Sequence, residues 1–86
     1  MSFYVYIIQC ADGSFYTGCT KNVRKRARMH AAGKGARYTK THKPLEVVFI
    51  ETFNTRSSAM KRERQIKKLN HEQKAHLIIS KKQAKT

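Results

Sequence analysis

Three apolar segments of the chain predict β-strands. Residues 3–10 form an unbroken run of β-branched and aromatic residues, FYVYIIQC, which predicts a strand buried on both faces for much of its length. Residues 14–19, SFYTGC, predict a second strand, and the Ala-Asp-Gly between them is typical of a turn, so the two segments form a β-hairpin. Residues 45–53, LEVVFIETF, predict a third strand, which alternates poorly and is therefore expected to be packed on both sides.

The length of the hairpin turn decides which side chains share a face of the sheet. A two-residue loop of Asp12 and Gly13 would place Tyr6 and Tyr16 on opposite faces. A three-residue loop, with Ala11 and Asp12 in a type I turn and Gly13 in the left-handed region, places the two tyrosines on the same face. We favour the three-residue loop because glycine tolerates the positive φ that its third position requires.

Three segments show the start signals and spacing of helices. The first follows an N-cap at Thr20 or Asn22 and stops at two closely spaced glycines. The second spans residues 57–69, and the third begins at a capping box over residues 70–73 and ends near Ile79. The element order is therefore ββαβαα, which predicts an α+β fold with helices packed on a three-stranded sheet.

The length of the chain predicts a single domain. With 86 residues it buries only about two-thirds of its unfolded surface, so its core is modest. We assign residues 1–79 to the domain and residues 80–86 to a frayed, basic C-terminal tail.

Charge points to the class of ligand. The chain has 19 Lys and Arg against 5 Asp and Glu, a formal net charge of +14, which favours a polyanion such as nucleic acid or a membrane surface. A membrane surface fits poorly, because the basic residues interleave with strands and do not line one broad amphipathic helix. The sequence has no apolar run long enough to span a membrane and no secretory signal pattern, so we expect a cytoplasmic location.

Cysteine and carboxylate usage limits the chemistry. Cys10 and Cys19 fit no zinc spacing, and the three-residue turn would place them on opposite faces of the hairpin, so both are expected to be free thiols. The five acidic residues are scattered, which predicts that any metal site has a single protein carboxylate and mostly water ligands. These residues are Asp12, Glu46, Glu51, Glu63 and Glu72.

Glu63 breaks the pattern of the second helix. It lies four residues after Ala59 and three before Ile66, on the apolar stripe. A carboxylate on the core-facing side needs a partner, because burying it unpaired is costly. One interpretation is a structural salt bridge to a nearby arginine, and the other is a metal ligand or acid–base group where the sheet meets the helix.

Other polar groups are predicted to converge near the hairpin. Arg26 and His30, four residues apart on the first helix, form either a solvated basic face or a phosphate-binding pair turned toward the hairpin. Tyr6 and Tyr16 either fill the core or offer two neighbouring hydroxyl groups. Gly18, in mid-strand, is typical of a place where a ligand or another backbone comes close.

A basic loop over residues 33–44, GKGARYTKTHKP, adds candidate nucleic-acid contacts. Its cations would contact phosphates, and such binding weakens steeply with salt. Tyr38 either stacks on a base or anchors the loop. The cations are Lys34, Arg37, Lys40 and Lys43.

These residues carry a resemblance to a known family. Residues 4–6, YVY, followed by residues 16–18, YTG, resemble in variant form the paired signature of the GIY-YIG endonuclease superfamily. Residues 59–70 are similar to the helix that bears the family's metal-binding glutamate. The resemblance covers residues 3–79 and is nearest to small bacterial stand-alone members, grouped with the nuclease domain of the excision-repair incision subunit. The residues that follow the signature in the family's order are Arg26, His30 and Glu63.

The resemblance implies both a fold and an activity. The fold is a central three-stranded antiparallel sheet flanked by helices, and the activity is hydrolysis of DNA phosphodiester bonds with a single Mg²⁺ or Mn²⁺. Glu63 matches the metal ligand and Arg26 the catalytic arginine, and His30 stands where the family places tyrosine or histidine. Cys19 stands where some members carry a lysine, and a later active-site asparagine has no clear match.

The two signature tyrosines match the tyrosine that ends the first element and the one that opens the second. We favour Tyr6 as the base that deprotonates the attacking water and Tyr16 as the group that orients the phosphate, although the sequence does not decide between them. His30 would orient Tyr6 or contact the phosphate.

The sequence is therefore compatible with two functions. The first is a metal-dependent DNA endonuclease of repair or recombination, with a protein partner or a preference for branched DNA supplying its specificity. The alternative is a non-catalytic basic module that binds DNA or RNA. Glu63 favours the nuclease, because a pure binding module does not require a carboxylate on the inner stripe among cations.

Overall fold

The computed structural model of the chain describes residues 2–34, 38 and 41–83, with side chains described as far as residue 81. The strands form one antiparallel sheet in the order β2-β1-β3, and the element order ββαβαα and the α+β class are confirmed. The elements are β1 (Phe3–Cys10), β2 (Phe15–Thr20), α1 (Val23–Ala31), β3 (Pro44–Phe53), α2 (Arg56–Lys67) and α3 (His71–Gln83).

The central strand β1 separates two apolar clusters. On one face of the sheet, Val5 and Ile7 pack with Ala59 and Ile66 of α2 and with Ile78 of α3. The other face carries the second cluster, against which α1 packs; its buried members are Tyr6, Ile8 and Cys10. Because both faces of β1 are covered, its middle residues are buried without alternation, as the sequence predicted.

The hairpin has the three-residue turn that the sequence favoured. The Cys10 amide donates to the Ser14 carbonyl at 2.8 Å, and Gly13 has φ of 86°. In this register Tyr6 lies opposite Gly18, and Ile8 lies opposite Tyr16. The two signature tyrosines therefore share a face of the sheet, as predicted.

This register also places the two thiols on opposite faces of the sheet. Cys10 is buried in the cluster beneath α1, whereas Cys19 packs against the cluster beneath α2. Both are free, which confirms the sequence prediction.

The prediction that the third strand is packed on both sides is wrong. β3 is an edge strand, and of its ten residues only Phe49 is buried. Its register against β1 slips twice, so that Val48 and Leu45 are extra residues in the pairing. Each slip moves the following side chains to the other face, which explains why the apolar pattern alternates poorly.

The N-terminal ends of α1 and α3 have the caps that the sequence predicted. Asn22 is the N-cap of α1, its side chain accepting from the Lys25 amide at 3.0 Å. The capping box of α3 is present, since Asn70 and Gln73 each accept from the other's backbone amide.

The third helix does not stop near Ile79, and residues 80–83 are not a frayed tail. α3 runs to Gln83, because Ile78 is buried against the sheet and the Lys81 ammonium lies 4.9 Å from the centre of the Phe49 ring. None of the helices in the described ranges is long and apolar enough to cross a lipid bilayer.

Candidate active site

A buried tyrosine–histidine pair joins β1 to α1. Tyr6 Oη lies 2.9 Å from His30 Nε2, and these two residues are only 2% and 1% exposed. Tyr16 sits beside them, with its ring centre 5.1 Å from that of His30 and 6.4 Å from that of Tyr6. His30 therefore turns toward the hairpin, where its partner is the Tyr6 phenol. The sequence had left open whether His30 turns that way or lies on a solvated face.

Gly18 makes room for the hydroxyl group of Tyr6. A β-carbon at Gly18 would lie 2.5 Å from Tyr6 Oη and 2.6 Å from Tyr6 Cζ. Real β-carbons do not approach so closely, so this position of the Tyr6 ring requires a glycine opposite it on β2. The sequence predicted that a ligand or another backbone comes close at Gly18, whereas the group that lies there is the Tyr6 side chain; a nucleic-acid contact at Gly18 stays a prediction.

Burial keeps both members of the pair neutral. Burial raises the pKa of the Tyr6 phenol, and the nearby Tyr16 and Glu63 raise it further, while Arg26 lowers it. Burial lowers the pKa of His30, and the positive charge of Arg26 acts in the same direction. The bond between them is therefore a phenol–imidazole contact at neutral pH.

Arg26 projects from α1 into a groove at the end of β2. This groove has a volume of about 310 Å³ and crosses the β2 edge of the sheet from α1 to α2. Arg26 is half-buried and influences the titration of both Tyr6 and His30, so its guanidinium lies within electrostatic range of the pair.

Glu63 turns inward from α2, as its position on the apolar stripe predicted. Its side chain is 18% exposed, and its Oε2 lies 3.4 Å from Lys67 Nζ one turn along the helix. The salt-bridge partner is thus a lysine and not the arginine that the sequence suggested. Arg62, the preceding residue, instead donates from Nε to Glu51 Oε1 at 2.8 Å.

The carboxylate of Glu63 is electrostatically connected to the rest of the site. It raises the pKa of the Tyr6 phenol across the sheet, and together with burial it raises the pKa of the Cys19 thiol on β2. Since α2 packs on the opposite face of the sheet from Tyr6, the Glu63 carboxylate and the Tyr6 phenol are separated by the sheet.

Glu63 fits a divalent ion of the magnesium type. Among the residues that the structure describes, no group of three or more His, Cys, Asp or Glu side chains could hold a metal, which does not suit zinc. A single inward carboxylate suits Mg²⁺ or Mn²⁺, which bind through one or two carboxylates, waters and substrate phosphates. Lys67 occupies one oxygen of Glu63 from a largely exposed position, which leaves the other oxygen for a cation.

Tyr38 packs inward beside the tyrosine–histidine pair. Its ring stacks on Tyr16 at 5.9 Å and on His42 at 3.9 Å, and it packs against the cluster beneath α1. His42 in turn lies 3.8 Å from a carboxylate oxygen of Asp12 at the hairpin turn. These contacts support the anchoring role of Tyr38, and its role in base stacking stays a prediction.

Two of the four predicted cations of the basic loop lie among the described residues. Lys34 and Lys43 are exposed, and the Lys43 carbonyl accepts from the Ala11 amide, which places it at the turn end of the hairpin, away from the groove. Arg37 and Lys40 lie outside the described residues. Sequence reasoning missed the cations that line the groove, because they come from separate elements; they are Lys21, Lys25 and Arg56.

Comparison with known families shows which family the chain belongs to. The model of the GIY-YIG catalytic domain matches residues 2–76, nearly the whole chain. The chain belongs to the GIY-YIG family. Membership in the GIY-YIG family indicates a nuclease domain, whose substrate is nucleic acid and whose catalysis generally depends on a divalent metal.

Similar proteins support this assignment. A UPF0213 protein of Staphylococcus haemolyticus is 51% identical over 75 residues, which cover 87% of this chain and 92% of the relative. A UPF0213 protein of Haloquadratum walsbyi is 49% identical over 74 residues, which cover 86% of this chain and 83% of the relative.

Two solution NMR structures share the fold. The UPF0213 protein BH0048 of Bacillus halodurans has a TM-score of 0.61 at 42% identity, with 94% of this chain and 86% of that chain covered. The protein EF2693 of E. faecalis has a TM-score of 0.63 at 38% identity, with 93% and 85% covered.

Proposed function

We propose that the protein is a metal-dependent endonuclease that hydrolyses DNA phosphodiester bonds in repair or recombination. The observation that carries the proposal is the cluster that Tyr6, Tyr16 and His30 form between β1, β2 and α1. Tyr6, Tyr16 and His30 contact one another, and Arg26 and Glu63 are both electrostatically coupled to the Tyr6 hydroxyl.

The Tyr6–His30 pair would act as a proton relay. Because burial raises the pKa of Tyr6, a standing phenolate is unfavourable at neutral pH. Neutral His30 instead accepts the phenolic proton at Nε2 while Tyr6 Oη takes a proton from the attacking water. The resulting hydroxide attacks phosphorus, the bond to the 3′ oxygen breaks, and that oxygen takes a proton from a water molecule. His30 then returns its proton to solvent, so Tyr6 serves as base without ionising beforehand.

The other residues would hold the phosphate. The Arg26 guanidinium offers paired donors to the non-bridging oxygens, whose charge grows as the nucleophile attacks. Tyr16 is half-buried beside Tyr6 and would orient the same phosphate. Glu63 would hold the divalent ion, which when bound supplies positive charge at the phosphate and the leaving oxygen.

Glu63→Gln and Arg26→Ala test the proposal. Each variant should cleave supercoiled, branched or single-stranded DNA about 10²-fold or more slowly than wild type in Mg²⁺ or Mn²⁺, because each loses a charge that stabilises the transition state. Glu46→Gln is the matched control, since this exposed acid on β3 lies apart from the site. Cleavage by both site variants at the wild-type rate would overturn the proposal.

The same experiment addresses the non-catalytic alternative. If wild type binds DNA but cleaves no form of it in either metal, the protein is a binding module. Paramagnetic broadening by Mn²⁺ gives a readout that does not depend on turnover: resonances of residues near Glu63 should broaden in wild type and not in Glu63→Gln. Equal broadening in both proteins would remove Glu63 as the ligand.

A further inference from the structure

A second groove continues the one that holds Arg26. It has a volume of about 270 Å³ and shares three lining residues with the first, so the two form one channel. We call this channel the β2-edge groove. The shared residues are Thr20, Lys21 and Arg26, and the full lining adds Phe3, Cys19, Asn22, Lys25, Met29 and Arg56.

The β2-edge groove is cationic throughout its length. Four of its nine lining residues are Lys or Arg, and none is acidic. Lys25 lies at one end on the first turn of α1, and Arg56 at the other end on the first turn of α2. Lys21 lies between them, with its ammonium 5.5 Å from the centre of the Phe3 ring.

The groove passes the residues assigned to catalysis. Arg26 lines both of its parts, and Cys19 on its floor is electrostatically coupled to Glu63 and to Arg56. A polyanion in the groove would therefore lie beside the Arg26 guanidinium. Several cations along an open channel suit a chain of phosphates better than one compact anion.

We propose that the β2-edge groove holds the sugar–phosphate backbone of the DNA strand next to the scissile bond. In this arrangement Lys21, Lys25 and Arg56 are phosphate contacts that fix the register of the strand and carry no base specificity. The inference rests on the proposed function and extends it by naming the path of the substrate.

The test measures binding separately from cleavage. The probe is a fluorescein-labelled DNA with a duplex stem and a single-stranded arm, titrated in EDTA so that no cleavage occurs. For each of Lys21→Ala, Lys25→Ala and Arg56→Ala, the negative slope of the logarithm of the binding constant against log salt should become shallower by about 0.7 to 0.9. For the triple variant it should become shallower by about two or more. Lys68→Ala is the matched control, because this exposed lysine follows the end of α2 near the opposite end of the molecule.

Two results would overturn the inference. One is a triple variant that binds with the wild-type slope, and the other is a Lys68→Ala slope that falls as much as those of the groove variants, which would indicate diffuse attraction to the whole surface. Cleavage of the same probe by wild type in Mg²⁺ separates the two proposals. A probe that is cleaved while the groove variants bind normally refutes only the groove, whereas a probe that is neither bound nor cleaved refutes the proposed function.

Discussion

At the scale of single residues, Gly18 has the largest effect for its size. It lies opposite Tyr6 on the neighbouring strand, and its missing side chain is the space that the Tyr6 hydroxyl fills. The position of the Tyr6 hydroxyl on β1 thus depends on the absence of a side chain at Gly18 on β2.

Gly18→Ala should displace the Tyr6 ring and break its contact with His30. Overpacking of this kind costs about 1–3 kcal/mol of the free energy of unfolding. DNA cleavage should fall roughly tenfold or more, because the relay loses its geometry. Urea unfolding and a cleavage assay measure the two effects.

A double-mutant cycle with Tyr6→Phe provides the control. The phenylalanine lacks the hydroxyl oxygen nearest to the new β-carbon, so Gly18→Ala should cost less stability in that background than in wild type. Strictly additive costs would show that the glycine acts on the strand backbone and not on Tyr6.

At this scale, the prediction that the two tyrosines share a face depended on the hairpin turn. The positive φ of Gly13 fixes the hairpin register, and the register places Tyr6 and Tyr16 on one face, so local chemistry was sufficient. The contact of Tyr6 with His30 joins residues 24 apart and requires the packing of α1, which no local pattern contains. Of the cations of the β2-edge groove, the sequence singled out only Arg26, because Lys21, Lys25 and Arg56 come from a loop and two helices that meet only in the folded protein.

At the scale of elements, His71 ties the start of α3 to the hairpin. Its Nε2 lies 2.7 Å from the Gly13 carbonyl, and its ring stacks on Phe15 with the ring centres 4.6 Å apart. This contact spans 58 residues of sequence and fixes the N-terminal end of α3 over the turn.

His71→Ala should lower the free energy of unfolding by about 1–2 kcal/mol, because it removes one hydrogen bond and one ring stack. Hydrogen exchange should quicken in the first turns of α3 before the rest of the fold. His76→Ala, on the exposed side of the same helix, is the control and should change little. Equal destabilisation by the two variants would show that helix propensity, and not the tie, is the cause.

The elements themselves were largely predictable, and the errors have physical causes. Caps at Asn22 and the box at Asn70 were visible because side-chain capping is local. The length of α3 was underestimated, since its last turn is held by the contact of Lys81 with Phe49 on β3. The burial of β3 was overestimated because its two register slips imitate the pattern of a buried strand.

At the scale of the whole molecule, a net charge of +14 on 86 residues opposes compaction. Within the described part of the chain, ion pairs offset little of it; the pair of Glu51 with Arg62 is the closest of them, at 2.8 Å. Mutual repulsion of the cations therefore acts against the folded state.

Added salt should stabilise the fold in the absence of DNA. Raising NaCl from a few millimolar to about 0.15 M shortens the screening length to about 8 Å, so the melting temperature should rise by a few degrees. Lys68→Glu lowers the net charge by two and should show a smaller rise. A melting temperature that falls as salt is added would indicate that attractive pairs dominate.

The two register slips of β3 have a consequence beyond the pairing of this sheet. β3 is the outer strand on one side, and it exposes Leu45 and Ile50, which are 60% and 40% accessible. An uninterrupted strand of this composition would be a template on which the strand of a neighbouring molecule could add. The extra residues at Leu45 and Val48 break the even row of backbone groups, so this border of the sheet discourages amyloid-like stacking at high protein concentration.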